Sequence, residues 1–432
     1  MGTELIVEVD GLAHDGRGVG RLDGKAVFIE GALPGEQVRI DRLHEARKFS
    51  QARLVEVLRP SPERVEPGCP SFGTCGGCSL QHLSPEGQLA AKQADLGEQL
   101  ARLGKVAPTS WLEPVRGPAW GYRRRARLGV KWVERKQRVL VGFRERAKPY
   151  ITDMVGCPIL AAPVDQLLGP LAELVAGLSI RNRLPQIEVS VAEASTLLVF
   201  RILEPLQEAD RSRLRRFAAE RDLRIWLQPG GLDSIVPLDG DSHLPFYTLP
   251  GNLRVEYSPV GFVQVNAEVN LKAVTLAVDL LDPGPGDRVL DLFCGVGNFT
   301  LPLARRAGQV LGVEGEQGLV DRAAANARLN GVDNAAFLRA DLSVDPGSAG
   351  WAGDSRDLVL LDPPRAGAEA LLPMLGRLRP RRIVYVSCHP ASLARDAGLL
   401  VHQHGYALVA AGVMDMFPHT AHVESVATFE LS

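Results

Sequence analysis

Long apolar runs are absent from the sequence, and none of its apolar stretches has the length that a membrane-spanning helix needs. Residues 1–10 lack the basic, apolar and small-residue order of a secretory signal peptide. Ile6 stands where N-myristoylation requires Ser or Thr. These absences predict a cytoplasmic protein with no membrane partner, and we expect a monomer without an obligate protein partner.

Cysteine is scarce, with six residues in a chain of 432. A cytoplasmic compartment keeps thiols reduced, so metal binding or catalysis is a better interpretation of these cysteines than a disulfide framework. The chain length predicts about three domains. No internal repeat or low-complexity tract appears in the sequence.

Net charge is also nearly absent, at −2, which excludes a uniformly basic nucleic-acid-binding protein. The average hides a basic stretch between Gly121 and Tyr150, where eleven Lys and Arg residues stand against two acids. A solvated protein face is the plainer interpretation of such a stretch. Aromatic residues interleave with the charges, however, and favour a surface that neutralises phosphates and stacks bases; they are Tyr122, Trp132, Phe143 and Tyr150.

Residues 1–61 are predicted to form a small β-barrel of the oligonucleotide-binding (OB-like) class. Four short runs of alternating apolar residues, separated by glycine, lie between Glu4 and Arg59. The phrase K-A-V-F-I-E-G-A-L-P-G-E-Q-V-R-I resembles the TRAM domain, a small RNA-binding barrel. The resemblance implies that this domain contacts RNA.

Residues 66–250 are predicted to form a central α/β domain that carries a metal cluster. Three cysteines lie on its glycine-rich first loop and a fourth precedes a proline; the set is Cys69, Cys75, Cys78 and Cys157. Four thiolates suit either a [4Fe–4S] cluster or structural zinc, and their spacing alone prefers neither. The spacing differs from that of radical S-adenosylmethionine enzymes. We expect the rest of this domain to be architectural or to face RNA.

Residues 251–432 are predicted to form a Rossmann-like α/β domain, because strand, loop and helix alternate along them. The glycine-rich turn F-C-G-V-G-N-F follows the first strand. Four successive strands then end in acids, as the binding of an adenosyl group requires; the acids are Asp291, Glu314, Asp341 and Asp362. Helix capping accounts for each acid separately but not for the series.

Cys388 directly follows the apolar strand I-V-Y-V-S of this last domain. Parallel strands deliver reactive side chains into the crevice at their carboxyl ends. A single cysteine in such a place is more often inert packing than a nucleophile. The sequence motifs around Cys388 are therefore needed to choose between inert packing and a nucleophile.

Four motifs occur in the order D-L-F-C-G-V-G-N-F-T, L-D-P-P-R-A-G, V-S-C-H-P-A-S-L-A-R-D and F-P-H-T-A-H-V-E-S. With the TRAM-like barrel and the cysteine set, they resemble the RNA uracil-C5-methyltransferase family, above all its bacterial branch that acts on 23S ribosomal RNA. The resemblance implies S-adenosylmethionine as cofactor and 23S ribosomal RNA as partner. It also implies a [4Fe–4S] cluster on the four cysteines, with zinc as the alternative. His389 departs from the family pattern, which leads us to expect Asn.

The resemblance also assigns roles to single residues. It implies that the Cys388 thiolate adds to carbon 6 of a uracil and that Glu424 removes the hydrogen from carbon 5, which is chemistry that a thiol and a carboxylate can perform. Carried over residue by residue, the cofactor contacts fall on Gln264, Phe293, Asn298, Glu314, Asp341 and Asp362.

Other functions stay open at the level of the sequence. The D-P-P-R motif also suits an N-methyltransferase that acts on a nucleic-acid base. The barrel and the basic stretch also suit a non-catalytic RNA-binding protein. The same uracil chemistry on another ribosomal RNA or on a transfer RNA is a further alternative.

Overall fold

The computed structural model describes residues 5–240, 242–347 and 349–432, without the side chains of residues 42 and 43. The amino-terminal strands close into a barrel in the order β1-β2-β3-β5-β4. They are β1 (Leu5–Leu12), β2 (Gly18–Leu22), β3 (Lys25–Glu30), β4 (Gln37–Glu45) and β5 (Phe49–Arg59). The predicted barrel is confirmed, and β2 is the strand that the sequence did not predict.

Glycine conceals β2 in the sequence, because the run G-V-G-R-L lacks alternating large apolar residues. Gly20 lies opposite Val9 of β1. A Cβ atom at Gly20 would come within 2.3 Å of the Glu8 carbonyl oxygen. The close approach of the two strands therefore requires glycine at this position.

The central region is built on a six-stranded sheet with the order β12-β11-β10-β9-β7-β8. Helix α1 (Pro85–Gln99), which continues as a π-helix over Leu100–Gly104, and strand β6 (Ser110–Trp111) precede this sheet. The sheet strands are β7 (Arg125–Val133), β8 (Arg138–Gly142), β9 (Gln186–Val191), β10 (Thr196–Arg201), β11 (Leu223–Gln228) and β12 (Val236–Pro237). Helices α2 (Leu168–Ala176) and α3 (Glu208–Arg221) accompany it, and β13 (Phe246–Leu249) and β14 (Leu253–Glu256) form a separate hairpin.

Strands β7 and β8 contain much of the basic stretch, and some of its cations are bonded within the protein. Arg125 donates to the Glu188 carboxylate at 2.6 Å. Arg146 donates to the Cys78 carbonyl oxygen at 2.7 Å. Tyr122, one of the interleaved aromatic residues, is only 4% exposed. Arg125 and Arg146 are engaged in this way, but Lys131 and Arg135 are exposed, so the predicted phosphate-binding surface stays a prediction.

The carboxyl-terminal region is an eight-stranded sheet with the order β17-β16-β15-β18-β19-β21-β20-β6. Its strands are β15 (Arg288–Leu292), β16 (Gln309–Glu314), β17 (Ala335–Arg339), β18 (Leu358–Leu361), β19 (Arg382–Ser387), β20 (Tyr406–Met414) and β21 (Glu424–Leu431). Its helices are α4 (Ala267–Leu281), α5 (Thr300–Ala304), α6 (Gln317–Leu329), α7 (Gly350–Gly353), α8 (Leu372–Leu378) and α9 (Pro390–His404). Five neighbouring strands, β15 to β19, are parallel, as the sequence predicts.

Helix α1 and strand β6 contact the carboxyl-terminal sheet, although the sequence assigns them to the central domain of residues 66–250. Leu96 and Leu100 share an apolar cluster with Leu393 of α9 and Leu408 of β20. Strand β6 pairs with β20 at the edge of the sheet. In the described ranges no helix has both the length and the apolar character needed to cross a bilayer.

Candidate active site

The four strands followed by acids are neighbours in the sheet, in the order β17, β16, β15 and β18. Glu314 is the last residue of β16, and Asp362 directly follows β18. Asp291 is the fourth residue of β15, and Asp341, which is exposed, lies two residues beyond β17. Because parallel strands end at the same edge, the acids form one row in space.

The Glu314 carboxylate is held by backbone N–H groups. It accepts hydrogen bonds from Gly295 at 3.1 Å, Gly315 at 2.7 Å and Glu316 at 3.2 Å. Gly295 has a φ of +56°, and a Cβ atom there would meet no atom within 4 Å, so the glycine turn borders open space. A fixed carboxylate beside an open glycine turn fits the ribose hydroxyls of an adenosyl group.

Asp291 of this row is fully buried, and Asp362 is partly buried. Burial raises the pKa of Asp291 to about 7 and the pKa of Asp362 to about 7. One Asp291 oxygen accepts a hydrogen bond from the Thr300 hydroxyl at 2.5 Å. Within the described part of the chain the other Asp291 oxygen is buried without a partner. An unpaired buried acceptor is costly, and Asp291 has no exposed surface at which a ligand could reach it.

Cys388 and Glu424 meet at the end of the antiparallel pair of β19 and β21. Ser387 lies opposite Ser425 in the register of these strands. Cys388 directly follows Ser387, and Glu424 directly precedes Ser425, so both lie at the end of this strand pair. The charge of Glu424 acts on the Cys388 thiol. The register therefore brings the predicted nucleophile and the predicted base together.

The electrostatics of this pair favour its protonated forms. Burial raises the pKa of Cys388 to about 11, and the carboxylates of Glu424 and Asp362 add to the rise, while Arg365 opposes it. Burial also raises the pKa of Glu424 to about 8, and Asp362 adds to that rise, while Lys92 opposes it. Two cations, Arg365 and Lys92, therefore favour the charged forms of the thiol and the carboxyl group.

A groove of about 880 Å³ leads from the barrel to Cys388. Arg17 and Gln51 line its wall on the barrel side, and Arg365 and His422 line the wall near the thiol. The groove therefore connects the barrel with the segment around Cys388 in the carboxyl-terminal region.

The remaining predicted cofactor residues surround the glycine turn. Phe293 follows β15 with a left-handed φ of +65°. The Asn298 side-chain amide exchanges hydrogen bonds with that of Asn270 at 3.2 Å in both directions. Gln264 lies before α4, and its backbone carbonyl accepts a hydrogen bond from Arg124 at 2.9 Å. Their contact with a cofactor stays a prediction.

Comparison with known families identifies the chain. The model of the tRNA (uracil-5-)-methyltransferase family matches residues 85–345, which is more than half of the sequence. The chain belongs to the RNA uracil-C5-methyltransferase family. A TRAM domain model matches residues 1–55, and a general methyltransferase domain model matches residues 283–427. This member of the family is therefore an S-adenosylmethionine-dependent methyltransferase, as predicted.

Curated relatives of this uracil methyltransferase align over nearly its whole length. The 23S rRNA (uracil(1939)-C(5))-methyltransferase RlmD of Alkalilimnicola ehrlichii is 52% identical over 98% of this chain and 96% of its own length. The protein of the same name from Azoarcus is 50% identical over the full length of both chains. The crystal structure of Pyrococcus abyssi tRNA (uracil-54, C5)-methyltransferase with S-adenosyl-L-homocysteine has a TM-score of 0.75 and 26% identity, and the match covers 98% of this chain and 100% of that one.

The four predicted metal-ligating cysteines of this methyltransferase line one small cavity, and all are free thiols. Burial raises the pKa of Cys157 to about 12, and charges on Cys78 and Cys69 add to the rise. Cys75 is likewise buried. The donor chemistry fits a sulfur-ligated cluster. In the chain as described, no group of three or more His, Cys, Asp or Glu side chains is arranged to hold a metal ion, so the cluster stays a prediction.

His389 replaces the expected asparagine without losing its local function. It is the N-cap of α9, and its Nδ1 accepts a hydrogen bond from the Ser392 backbone N–H at 3.4 Å. Burial lowers the pKa of His389, which keeps this nitrogen free to accept. Asparagine is a common N-cap residue, so the histidine preserves the start of the helix.

Sequence reasoning missed two cations of the site. Arg365 is the last residue of D-P-P-R, so the motif itself contained the signal. Lys92 lies on α1 and is only 3% exposed. Nothing in its local sequence distinguishes it from a lysine on a solvated helix.

Proposed function

We propose that this enzyme transfers a methyl group from S-adenosylmethionine to carbon 5 of uridine 1939 in 23S ribosomal RNA. The chemistry is supported above all by the register of β19 and β21, whose last pair, Ser387 with Ser425, is flanked by Cys388 and Glu424. The substrate is supported by the relatives, whose shared name specifies uracil 1939.

Cys388 and Glu424 act in succession in the proposed mechanism. Carbon 5 of uracil is too weak a nucleophile to accept a methyl group unaided. The Cys388 thiolate adds to carbon 6, and the electrons of the C5–C6 double bond form an enolate that is nucleophilic at carbon 5. S-adenosylmethionine, when bound, supplies the electrophilic methyl group. Glu424 then removes the hydrogen from carbon 5, the double bond re-forms, and the sulfur leaves carbon 6 as a thiolate.

RNA that carries 5-fluorouridine at the target position tests this mechanism, because fluorine cannot leave carbon 5 as a proton does. We expect a stable covalent protein–RNA adduct with the unchanged enzyme and none with Cys388→Ala. An adduct that still forms with Cys388→Ala would refute the nucleophile. Full methylation of ordinary RNA by Cys388→Ala would instead favour an N-methyltransferase.

We assign the cofactor contacts to Gln264, Phe293, Asn298, Glu314, Asp341 and Asp362. The Glu314 carboxylate, which three backbone N–H groups orient, would accept both ribose hydroxyls. A Glu314→Gln variant should bind S-adenosylmethionine about tenfold more weakly, since a hydrogen bond to a charged acceptor contributes about 1.5–3 kcal/mol. Equilibrium binding, with the exposed acid variant Asp345→Asn as control, measures the difference.

We further propose that Cys69, Cys75, Cys78 and Cys157 hold a [4Fe–4S] cluster. The four thiols share one cavity, and the chemistry of a four-thiolate set suits iron–sulfur ligation. The cluster would tie the loop of residues 69–78 to the segment around Cys157. Visible absorbance that dithionite bleaches would support this assignment, whereas a colourless protein with stoichiometric zinc would overturn it.

Transfer RNA is the competing substrate, because the matching family model and the Pyrococcus abyssi relative are both named for it. The groove between the barrel and Cys388 offers a path for an unpaired RNA segment of either kind. Mapping of 5-methyluridine in total RNA from cells that lack this protein decides between them. We expect the methyl group of uridine 1939 to be lost and those of transfer RNA to remain.

A further inference from the structure

The loop that carries Glu424 is fastened to distant parts of the chain. This connecting loop, residues 415–423, joins β20 to β21 and ends at Glu424. The backbone N–H groups of Ser79 and Leu80 both donate to the His419 carbonyl oxygen at 2.9 Å. The Tyr122 hydroxyl donates to the Pro418 carbonyl oxygen at 3.1 Å. The position of the base therefore depends on segments more than 290 residues away in sequence.

Helix α1 supplies two side chains to this connecting loop. Gln88 accepts a hydrogen bond from the His419 backbone N–H at 2.7 Å. One turn later, Lys92 donates to the Asp415 carboxylate at 2.7 Å and to the Phe417 carbonyl oxygen at 3.0 Å. Residues four apart lie on one face of a helix, so both side chains point to the loop. Gln88 is 2% exposed and Lys92 is 3% exposed.

A charged side chain at Lys92 requires an explanation beyond fastening the loop. Burying an ammonium group is costly because it loses its hydration, and a counter-ion offsets that cost only in part. Gln88 fastens the same loop with a neutral amide. The difference is that the ammonium lies near the base: Lys92 bonds to Asp415, and Met414, the residue before Asp415, pairs with Glu424 in the register of β20 and β21. Lys92 accordingly opposes the rise in the pKa of Glu424 that burial and Asp362 cause.

We infer that Lys92 is a positioning residue for Glu424, which fixes the connecting loop and keeps a positive charge beside the base while the hydrogen leaves carbon 5. The inference rests on the proposed role of Glu424. Among the charged and titratable groups of the site, Asp362 after β18 and Lys92 of α1 act on Glu424, and Arg365 of D-P-P-R acts on Cys388 after β19. His422 of the connecting loop lies two residues before Glu424. Asp415 is the counter-ion of Lys92.

Lys92→Met tests the inference, because it removes the charge and keeps the length of the side chain. With a 23S ribosomal RNA fragment of ordinary uridine, we expect release of methylated RNA to slow about tenfold at pH 7.5, the factor that one pKa unit represents. Covalent protein–RNA adduct should accumulate on denaturing gels, since its formation precedes the step that needs the base. The deficit should shrink towards pH 9.5, where Glu424 is ionised without help. Lys92→Arg should restore release.

Three further variants separate this role from a structural one. Lys272→Met removes an exposed lysine of α4 and should change nothing. The double variant Lys92→Met with Asp415→Asn leaves no buried charge unpaired, so it should fold even if Lys92→Met does not, and it should show the same pH dependence. Glu424→Gln should accumulate adduct. If it does not, the assignment of Glu424 as the base and the inference about Lys92 are both overturned. If Glu424→Gln accumulates adduct but the Lys92 variants release slowly at every pH without adduct, only the inference is overturned.

Discussion

Individual residues at the acid edge differ in how strongly they hold their protons. The surroundings of Cys388 raise its pKa to about 11, and those of Glu424 raise its pKa to about 8. The thiol is therefore protonated at neutral pH, and the carboxyl group is only about one-tenth ionised at pH 7. Attack and hydrogen removal consequently respond to pH in different ranges, which makes the two proposed steps separable by experiment.

The first prediction concerns this pH dependence. A group with a raised pKa is ionised only above it, so release of methylated RNA should rise as the pH increases through about 8, where Glu424 becomes a carboxylate. Adduct formation with 5-fluorouridine RNA reports on Cys388 alone and should continue to rise above pH 9. Single-turnover rates between pH 6 and 10 measure both steps. Identical profiles for the two steps would contradict the assignment.

Arg365 provides the second prediction, since its guanidinium lowers the pKa of Cys388. Arg365→Gln should leave less thiolate at a given pH and slow adduct formation several-fold. The rate of trapping with 5-fluorouridine RNA measures this effect, and higher pH should relieve it. Arg377→Gln, which removes an exposed arginine paired with Asp345, is the matched control. Equal rates for the two variants would show that Arg365 does not act on the thiol.

At the scale of the element, the sequence predicts strands and helices where apolar residues keep a regular period. The predicted strands at β1, β3 and β5 agree with the structure, as do the helical stretches at α6 and α9. Strand β7, R-A-R-L-G-V-K-W-V, has the alternation of a strand, and its cations predict an RNA surface. Two of these cations, Arg125 and Arg127, instead bond to Glu188 of β9, which is more than 60 residues away. A local sequence pattern does not contain that pairing.

Some residues of the active site can likewise be predicted from sequence motifs, whereas others can be identified only from the fold. Cys388 and Glu424 stand in sequence motifs, so both could be named before their register was known. Lys92 contacts Asp415 across 323 residues of sequence. Only the packing of α1 against the carboxyl-terminal sheet brings them together. The periodicity of the sequence predicts that α1 is a helix, but it does not predict where the helix packs.

The turn between β3 and β4 supplies the third prediction, because it fastens the barrel to the linker that follows. Glu36 is fully buried and accepts hydrogen bonds from the backbone N–H groups of Leu33 at 2.8 Å and Ser61 at 3.2 Å. Arg64 adds two bonds to the same carboxylate, at 2.5 Å and 2.8 Å. Glu36→Ala should lower the free energy of unfolding by about 3–5 kcal/mol, because it leaves a partly buried cation and two amides unpaired.

Chemical denaturation with a matched variant checks this loss. Glu8→Ala removes an exposed carboxylate of the same barrel, which pairs with Arg59, and should cost about 0–1 kcal/mol. Burial alone would raise the pKa of Glu36, but the bonds from Arg64 and the backbone lower it overall. The stabilisation from Glu36 should therefore be present above about pH 4.3, its unfolded pKa, and be lost as the pH falls further. Equal losses in both variants would contradict the anchoring role.

On the scale of the whole molecule, the groove unites the three parts of the chain. The barrel, the loop next to the cysteines and the segment around Cys388 all contribute to its walls; examples are Arg17, Gly77 and Cys388. The net charge of the chain is −2, so attraction of RNA depends on where its cations lie, and Arg17, Arg146 and Arg365 line this groove. Arg17 lies over the ring of Phe28 at 4.8 Å, which gives the barrel a cation and an aromatic face at the groove.

The fourth prediction follows from that placement. Arg17 pairs with Asp15 at 2.7 Å, so a phosphate would share this cation with a carboxylate. Arg17→Ala should weaken RNA binding several-fold and reduce the dependence of log K on log salt by up to about 0.7–0.9, the value of one phosphate contact. The methylation rate at saturating RNA should not change, because Arg17 belongs to the barrel and the reacting groups belong to the carboxyl-terminal sheet. Arg53→Ala removes an arginine of the same barrel that is 64% exposed and pairs with Asp41. Equal loss of affinity in both variants would mean that the barrel attracts RNA by overall charge, so that the groove is not the path to Cys388.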